Sequence, residues 1–140
     1  MRIEGAGIIP LEKTRVEIDP SITESLKSET EPESQVIVHF SYTGESYVSP
    51  IRIWRSTYLI PAESSHKSRL LHFENISEYP TWTYVMYKKT LHFTLIFEGL
   101  PRNCRVFTLH EQIPETGGFL IENIARNTSD VYYIDLNKEE

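Results

Sequence analysis

The sequence contains a single cysteine, Cys104, among 140 residues. A disulfide within the chain is therefore excluded, and the chain must fold by burying apolar side chains, which a chain of this length can do. A lone cysteine with no histidine beside it is most often a small buried apolar residue, so we predict that Cys104 is buried and unreactive. The absence of disulfides is compatible with a reducing compartment.

Long apolar runs and an excess of positive charge are also absent. No apolar stretch approaches the roughly 18 residues of a membrane-spanning helix, and Glu4 and Glu12 interrupt the apolar run that a signal peptide would need. The formal net charge is −6, whereas proteins that bind nucleic acid usually carry a clustered basic surface. We therefore expect a cytoplasmic protein of one domain, residues 1–140, with neither nucleic acid nor membrane as a partner.

No segment shows the periodicity of a long helix, and alternation of apolar and polar residues is common instead. The clearest example is 35–43, where Val36, Val38 and Phe40 share one face. In 50–60 the two faces are ambiguous, which suggests a bulge near Arg55. Strands are predicted at 11–19, 35–43, 50–60, 69–76, 83–87, 90–98, 104–111 and 131–136. About eight or nine strands at this spacing predict an antiparallel immunoglobulin-like β-sandwich, with a mobile acidic loop at about 20–34.

Three histidines each precede a phenylalanine within a predicted strand: His39, His72 and His92. Because neighbouring strand residues point to opposite faces, a core-facing phenylalanine places its histidine on the outer face. A metal site would need three or four converging ligands, and the sequence does not show that these strands are neighbours. We predict surface histidines and no metal or other cofactor. A metal-binding protein or enzyme built on them is the first alternative.

Motifs for known chemistry are missing as well. The sequence has no metalloprotease, phosphate-loop, dinucleotide-binding or nucleophile-elbow pattern. His110 and Glu111 are adjacent and should point to opposite faces of their strand, so they do not form a catalytic pair. We therefore expect no enzymatic activity and assign no catalytic residue.

Aromatic residues are concentrated in one segment, "EYPTWTYVMY" at 78–87. An exposed aromatic patch is typical of a surface that binds a sugar ring or a protein. The predicted ligand-binding residues are Trp54, Tyr79, Trp82, Tyr84 and Tyr87. The alternative is that Trp82 and Tyr84 cover the end of the core. A further alternative is a structural subunit of a larger assembly, including a homodimer formed through an exposed sheet edge.

The runs "STYLI", "LHFTLIFEGLP" and "IPETGGFLIENIARN", followed by "DVYYIDL", resemble a group of uncharacterised bacterial proteins, mainly from the Bacteroidota. The resemblance covers roughly residues 36–136. It implies an all-β, immunoglobulin-like domain with no established activity and brings no catalytic residues. With the composition and the aromatic segment, it leads us to expect a non-catalytic binding or interaction module for a protein or carbohydrate partner.

Overall fold

The structure, a computed structural model, describes residues 34–138. Over this range the chain forms nine β-strands and no helix, so no helix there could cross a membrane. The predicted strand at 11–19 and the predicted acidic loop, except its last residue, lie outside the described residues. The strands are β1 (Val36–Thr43), β2 (Val48–Ile51), β3 (Thr57–Pro61), β4 (Ser68–Glu74), β5 (Thr83–Met86), β6 (Thr90–Phe97), β7 (Val106–Glu111), β8 (Leu120–Ala125) and β9 (Val131–Asp135).

Seven strands form one sheet in the order β8-β7-β3-β4-β6-β1-β9, and β2 and β5 form a separate two-stranded ribbon. The prediction of an all-β protein is confirmed. The prediction of a purely antiparallel fold is wrong, because β9 runs parallel to β1. A parallel pair requires a long connection, and here the connection is the whole chain between the two strands. The sheet is therefore mixed.

The large sheet curls so that its two ends face each other across one core. Phe107 on β7 and Tyr132 on β9 lie far apart in the strand order, yet their ring centroids are 5.2 Å apart in an edge-on arrangement. The shortest strand pairing in the large sheet is that of β3 with β4, which pair at only two positions. The inner faces of the strands on either side of this junction enclose the core.

Alternation along the strands fills this core as the sequence predicts. Val36, Val38 and Phe40 of β1 are buried, and the ring of Phe40 stacks on that of Phe93 of β6 with centroids 4.8 Å apart. The three strands that carry a His-Phe pair lie side by side in the order β4-β6-β1. His39, His72 and His92 all point away from the core, as predicted. Cys104 is buried, also as predicted, and its burial raises the pKa of the thiol.

The single strand predicted at 50–60 is in fact two strands that belong to different sheets. β2 ends at Ile51 and β3 begins at Thr57. Ile53 between them is fully buried and pairs as an isolated bridge with Glu78, while Arg55 is exposed. The backbone therefore leaves the ribbon and enters the large sheet here, a larger change than the predicted bulge.

A buried polar network ties the turn before β9 to the core. The guanidinium of Arg126 donates to both carboxylate oxygens of Asp130, at 2.7 and 3.0 Å, and both side chains are only 9% exposed. Arg126 also donates to the carbonyl oxygens of Pro101 and Cys104. The hydroxyl of Tyr132 donates to Asp130 at 3.0 Å. The network satisfies charges that would be costly to bury alone.

Candidate functional site

Three of the five predicted binding residues surround one arginine that follows β2. The rings of Trp54 and Tyr79 stack with centroids 3.8 Å apart. The Cζ atom of Arg52 lies 3.7 Å from the ring centroid of Trp82, 4.6 Å from that of Tyr79 and 5.9 Å from that of Trp54. We call Arg52, Trp54, Tyr79 and Trp82 the arginine cluster. Each cation–π contact of this kind contributes about 0.5–2 kcal/mol.

The guanidinium of Arg52 is held in place by polar contacts as well as by the rings. It donates to the carbonyl oxygen of Pro80 at 3.2 Å and to the carboxylate of Glu115 at 3.3 Å, and its side chain is only 11% exposed. The cluster thus fixes the segment before β5 against the end of β2. Part of each aromatic surface is used within the protein, although Tyr79 and Trp82 remain 45% and 39% exposed.

A buried carboxylate binds the backbone of one residue of the arginine cluster. Glu111, at the end of β7, accepts a hydrogen bond from the backbone N–H of Trp54 at 2.8 Å and one from that of Phe119 at 3.1 Å. Burial raises the pKa of this carboxyl above its ordinary value, although the two hydrogen bonds oppose the shift. His110 points to the opposite face, as predicted, so the adjacent pair does not act as a unit.

Of the other two predicted binding residues, Tyr84 lies on the ribbon and Tyr87 directly follows it, and the ribbon presents an apolar outer face. Its two strands pair so that Val48 is opposite Met86 and Pro50 is opposite Tyr84. All four residues are exposed, Tyr84 at 62%. Two more tyrosines, Tyr47 and Tyr87, flank this end of the ribbon and are 82% and 53% exposed. We call Val48, Pro50, Tyr84 and Met86 the ribbon face. The alternative that Tyr84 covers the core is not what the structure shows.

The inner side of the ribbon attaches it firmly to the rest of the protein. Its inward-facing residues Ser49, Ile51 and Val85 are buried. Gly44, just after β1, accepts a hydrogen bond from the N–H of Lys88 and donates one to the carbonyl of Lys89, both at 2.9 Å. A side chain at Gly44 would lie 2.4 Å from the carbonyl oxygen of Met86. This close approach requires glycine, and it holds the ribbon face in a fixed orientation.

Two lysines border the ribbon face. Lys88 and Lys89 come after β5 and Tyr87, and both are exposed. The ammonium of Lys88 lies 5.4 Å from the ring centroid of Tyr87. Since the whole chain carries a formal charge of −6, this apolar surface has a local positive border on an acidic protein.

The three histidines of the alternative metal hypothesis do not converge. Although β4, β6 and β1 are neighbours, His39 is directly opposite Thr94 and His92 is opposite Ser41. His72 lies 3.5 Å from Glu74 on its own strand. Within residues 34–138, no three histidine, cysteine or carboxylate side chains are placed to hold a metal ion.

Comparisons with family models, with curated proteins and with solved structures find no match to the chain. The assignment of function therefore depends on the surfaces described above.

The sequence predicted Tyr79, Tyr84 and Tyr87, which are exposed, but not Tyr47, which is more exposed than any of them, nor several of their neighbours. Arg52, the centre of the arginine cluster, was not singled out, because an arginine on a strand is usually a solvated residue. Val48, Pro50 and Met86 were also missed. Their membership of one face depends on the pairing of β2 with β5, which a pattern of single residues does not reveal.

Proposed function

We propose that the protein is a non-catalytic interaction module whose ribbon face binds a partner protein. The observation that carries the proposal is the cross-strand arrangement of Val48 with Met86 and of Pro50 with Tyr84, all exposed on one side of the ribbon. Single exposed apolar residues are ordinary on protein surfaces, whereas contiguous exposed patches are typical of interaction sites. Tyrosine and methionine are also enriched at protein interfaces.

The chemistry of the ribbon face favours a protein over a carbohydrate as its partner. A sugar ring binds by stacking on flat aromatic surfaces, but Val48, Pro50 and Met86 offer irregular aliphatic surface that packs better against apolar side chains. Lys88 and Lys89 on the border suit acidic side chains on the partner, since complementary charges at the rim speed association and orient it. The partner class that we propose is a protein with an apolar contact patch and acidic residues beside it.

The arginine cluster has a supporting role in this proposal. Trp82 immediately precedes β5, and its contact with Arg52 fixes the position at which β5 begins. The exposed parts of Tyr79 and Trp82 extend the aromatic surface along the chain from Tyr84. The assignment of Trp54, Tyr79 and Trp82 as direct contacts with a partner stays a prediction.

We also propose that the fold is an immunoglobulin-like sandwich. An immunoglobulin-like sandwich is supported by the narrow β3–β4 connection, which divides the large sheet into β8-β7-β3 and β4-β6-β1-β9. The packing of Phe107 against Tyr132 across the core is consistent with two layers. The resemblance to uncharacterised bacterial immunoglobulin-like domains points to the same architecture.

A test of the function compares the wild-type protein with a variant in which Tyr84 and Met86 are both replaced by alanine. Proteins that co-purify with the tagged chain would be quantified from the native host. Because both side chains are exposed, we expect an unchanged melting temperature and at least a tenfold loss of the captured partner, the factor expected for about 1.4 kcal/mol or more at an interface hot spot. Leu120→Ala, which alters an exposed apolar residue on β8, is the matched control.

Capture that is equal for the wild type and the double variant would contradict the proposal. A second copy of the chain is a specific alternative partner, and sedimentation velocity over a range of concentrations would identify it. If the wild type dimerises and the Tyr84→Ala, Met86→Ala variant does not, the ribbon face is a homodimer interface. If both dimerise equally, the interface lies elsewhere, such as at the edges of β8 or β9.

A further inference from the structure

The outer face of β6, β1 and β9 carries a concave surface that the interaction surface described above does not use. A cavity with a volume of about 670 Å³ opens over these three strands. The strand registers place its outward side chains in two rows: Thr94, His39 and Tyr133 in one, and His92, Ser41 and Asp135 in the other. We call these six residues the histidine groove.

The size of the groove follows from sheet geometry. Neighbouring strands are about 4.8 Å apart and alternate residues along a strand about 6.7 Å apart, so two rows of three cover roughly 10 by 7 Å. This area matches one or two sugar rings. The volume falls within the range of roughly 300–1,000 Å³ that is usual for small-molecule sites.

One wall of the groove is aromatic. The ring of Tyr133 is 42% exposed and lies 5.0 Å from the imidazole of His39, at an angle of 30°. His39 is half-buried and is held by a 2.8 Å hydrogen bond between its Nδ1 atom and the hydroxyl of Thr94. Burial lowers the pKa of His39 and so favours its uncharged form. The exposed part of Tyr133 offers an aromatic surface for stacking.

Both rows supply hydrogen-bonding groups that the described part of the chain does not use. In the second row, the side chains of Ser41 and His92 have no hydrogen-bond partner within residues 34–138, and in the first row neither does the hydroxyl of Tyr133. Asp135 accepts one bond, at 3.0 Å, from the backbone N–H of Asn137, and its second carboxylate oxygen has no partner in this range. The groove thus offers both donors and acceptors next to an aromatic ring.

The charge at the groove distinguishes between classes of ligand. Asp135 and Lys138, which also lines the cavity, carry one formal charge of each sign, so the lining gives no net preference for an anion or a cation. A neutral ligand rich in hydroxyl groups can donate to the Asp135 carboxylate and accept from the Lys138 ammonium. From the exposed ring of Tyr133, the unused polar groups and the balanced formal charges, we propose that the histidine groove binds a neutral saccharide.

The experiment is a titration of isotope-labelled protein, followed by two-dimensional amide NMR. The probes are glucose, galactose, mannose and N-acetylglucosamine, with glucuronate and glucosamine as charged counterparts. We expect at least one neutral sugar to shift amide signals of β1, β6 and β9 in a saturable manner, with a Kd of roughly 1 mM. The charged counterpart of a sugar that binds should bind more weakly.

Three variants make the test specific. Tyr133→Ala should weaken binding about tenfold because the stacking ring is lost, whereas Tyr133→Phe keeps the ring and should retain most of the affinity. Leu120→Ala lies outside the groove and should bind as the wild type does. Melting temperatures would show that every variant is folded.

The proposal is overturned if no neutral sugar of the panel shifts the signals of β1, β6 and β9. It is equally overturned if the shifts lie on the ribbon, if glucuronate or glucosamine binds as well as the neutral sugars, or if Tyr133→Ala binds as tightly as the wild type. None of these results bears on the capture of a protein by the ribbon face, so the two proposals fail independently.

Discussion

Replacement of Asp130 by asparagine tests whether the buried network around Arg126 stabilises the fold as its geometry indicates. The wild-type carboxylate accepts two hydrogen bonds from Arg126 and one from the hydroxyl of Tyr132. Asparagine has nearly the same shape but no charge, and it offers one oxygen where the carboxylate offers two. The variant therefore removes the carboxylate charge that faces the guanidinium at a site where both side chains are 9% exposed.

The expected cost follows from this burial. Breaking a buried ion pair by removing one partner costs about 3–5 kcal/mol, because the remaining charge is uncompensated. The remaining bonds of Arg126 to two carbonyl oxygens lower the penalty, so we expect about 3 kcal/mol. For a chain of this length that loss corresponds to roughly 10 °C in melting temperature.

Urea denaturation and thermal melting, both followed by circular dichroism, measure the effect. The matched control is Glu78→Gln, which removes the same charge from an exposed ion pair. Its partner Arg55 lies 3.2 Å away, with side chains 52% and 38% exposed, and exposed pairs contribute about 0–1 kcal/mol. If Asp130→Asn costs no more than Glu78→Gln, the reasoning about the buried network is wrong.

Three further predictions concern pH and backbone packing. Burial raises the pKa of Glu111 in the folded state, so the wild type should lose stability relative to Glu111→Gln as pH rises from about 4.3, the pKa in the unfolded chain, through the folded pKa. Urea midpoints across that pH range would show this loss, and a difference between the two proteins that does not change with pH would contradict it. Burial lowers the pKa of His39 in the folded state, so the wild type should lose stability relative to His39→Gln as pH falls below about 6.5. Melting temperatures of the two proteins that change in parallel with pH would refute this. Gly44→Ala places a Cβ atom against the carbonyl oxygen of Met86 and should cost about 1–3 kcal/mol in urea denaturation, whereas an unchanged midpoint would show that the ribbon can move away freely.

The alternation of apolar residues predicted most of the sheet because it reflects a direct physical cause. On β1 and β6 one face is buried and the other is not, so Val36, Val38 and Phe93 reveal their orientation in the sequence. The positions of His39 and His92 on the outer face follow from the same period of two. Where this cause operates without interruption, the prediction agrees with the structure.

The prediction failed where the backbone interrupts the alternation. β8 was not predicted, because its buried residues Ile121 and Ile124 are three positions apart. Its pairing with β7 shifts register between Phe107 and Leu109, and Asn123 has a φ of 60°. This irregularity inserts an extra residue into β8 and hides the strand from a search for alternation. A bulge is visible only once the partner strand is known.

The candidate site was predictable only where it lies within one continuous segment of the sequence. The exposure of Tyr84 and Tyr87 agrees with the aromatic surface expected from the sequence. By contrast, the ribbon face and the histidine groove each depend on which strands are neighbours. In the groove, the parallel pairing of β9 with β1 places Tyr133 next to His39, although the two residues are far apart in the sequence. Contacts of that range are set by the whole core rather than by local pattern.

The most direct test of the central claim is site-specific photo-crosslinking from the ribbon face in the native host. A benzophenone amino acid would replace Tyr84, and in a parallel strain it would replace Leu120, which is also exposed but lies on β8. The account predicts one dominant crosslinked protein from position 84, competed away by unlabelled wild-type chain but not by the Tyr84→Ala, Met86→Ala variant, and absent from position 120. The same crosslinks from both positions, or none from position 84, would contradict the claim that the ribbon face is the binding surface.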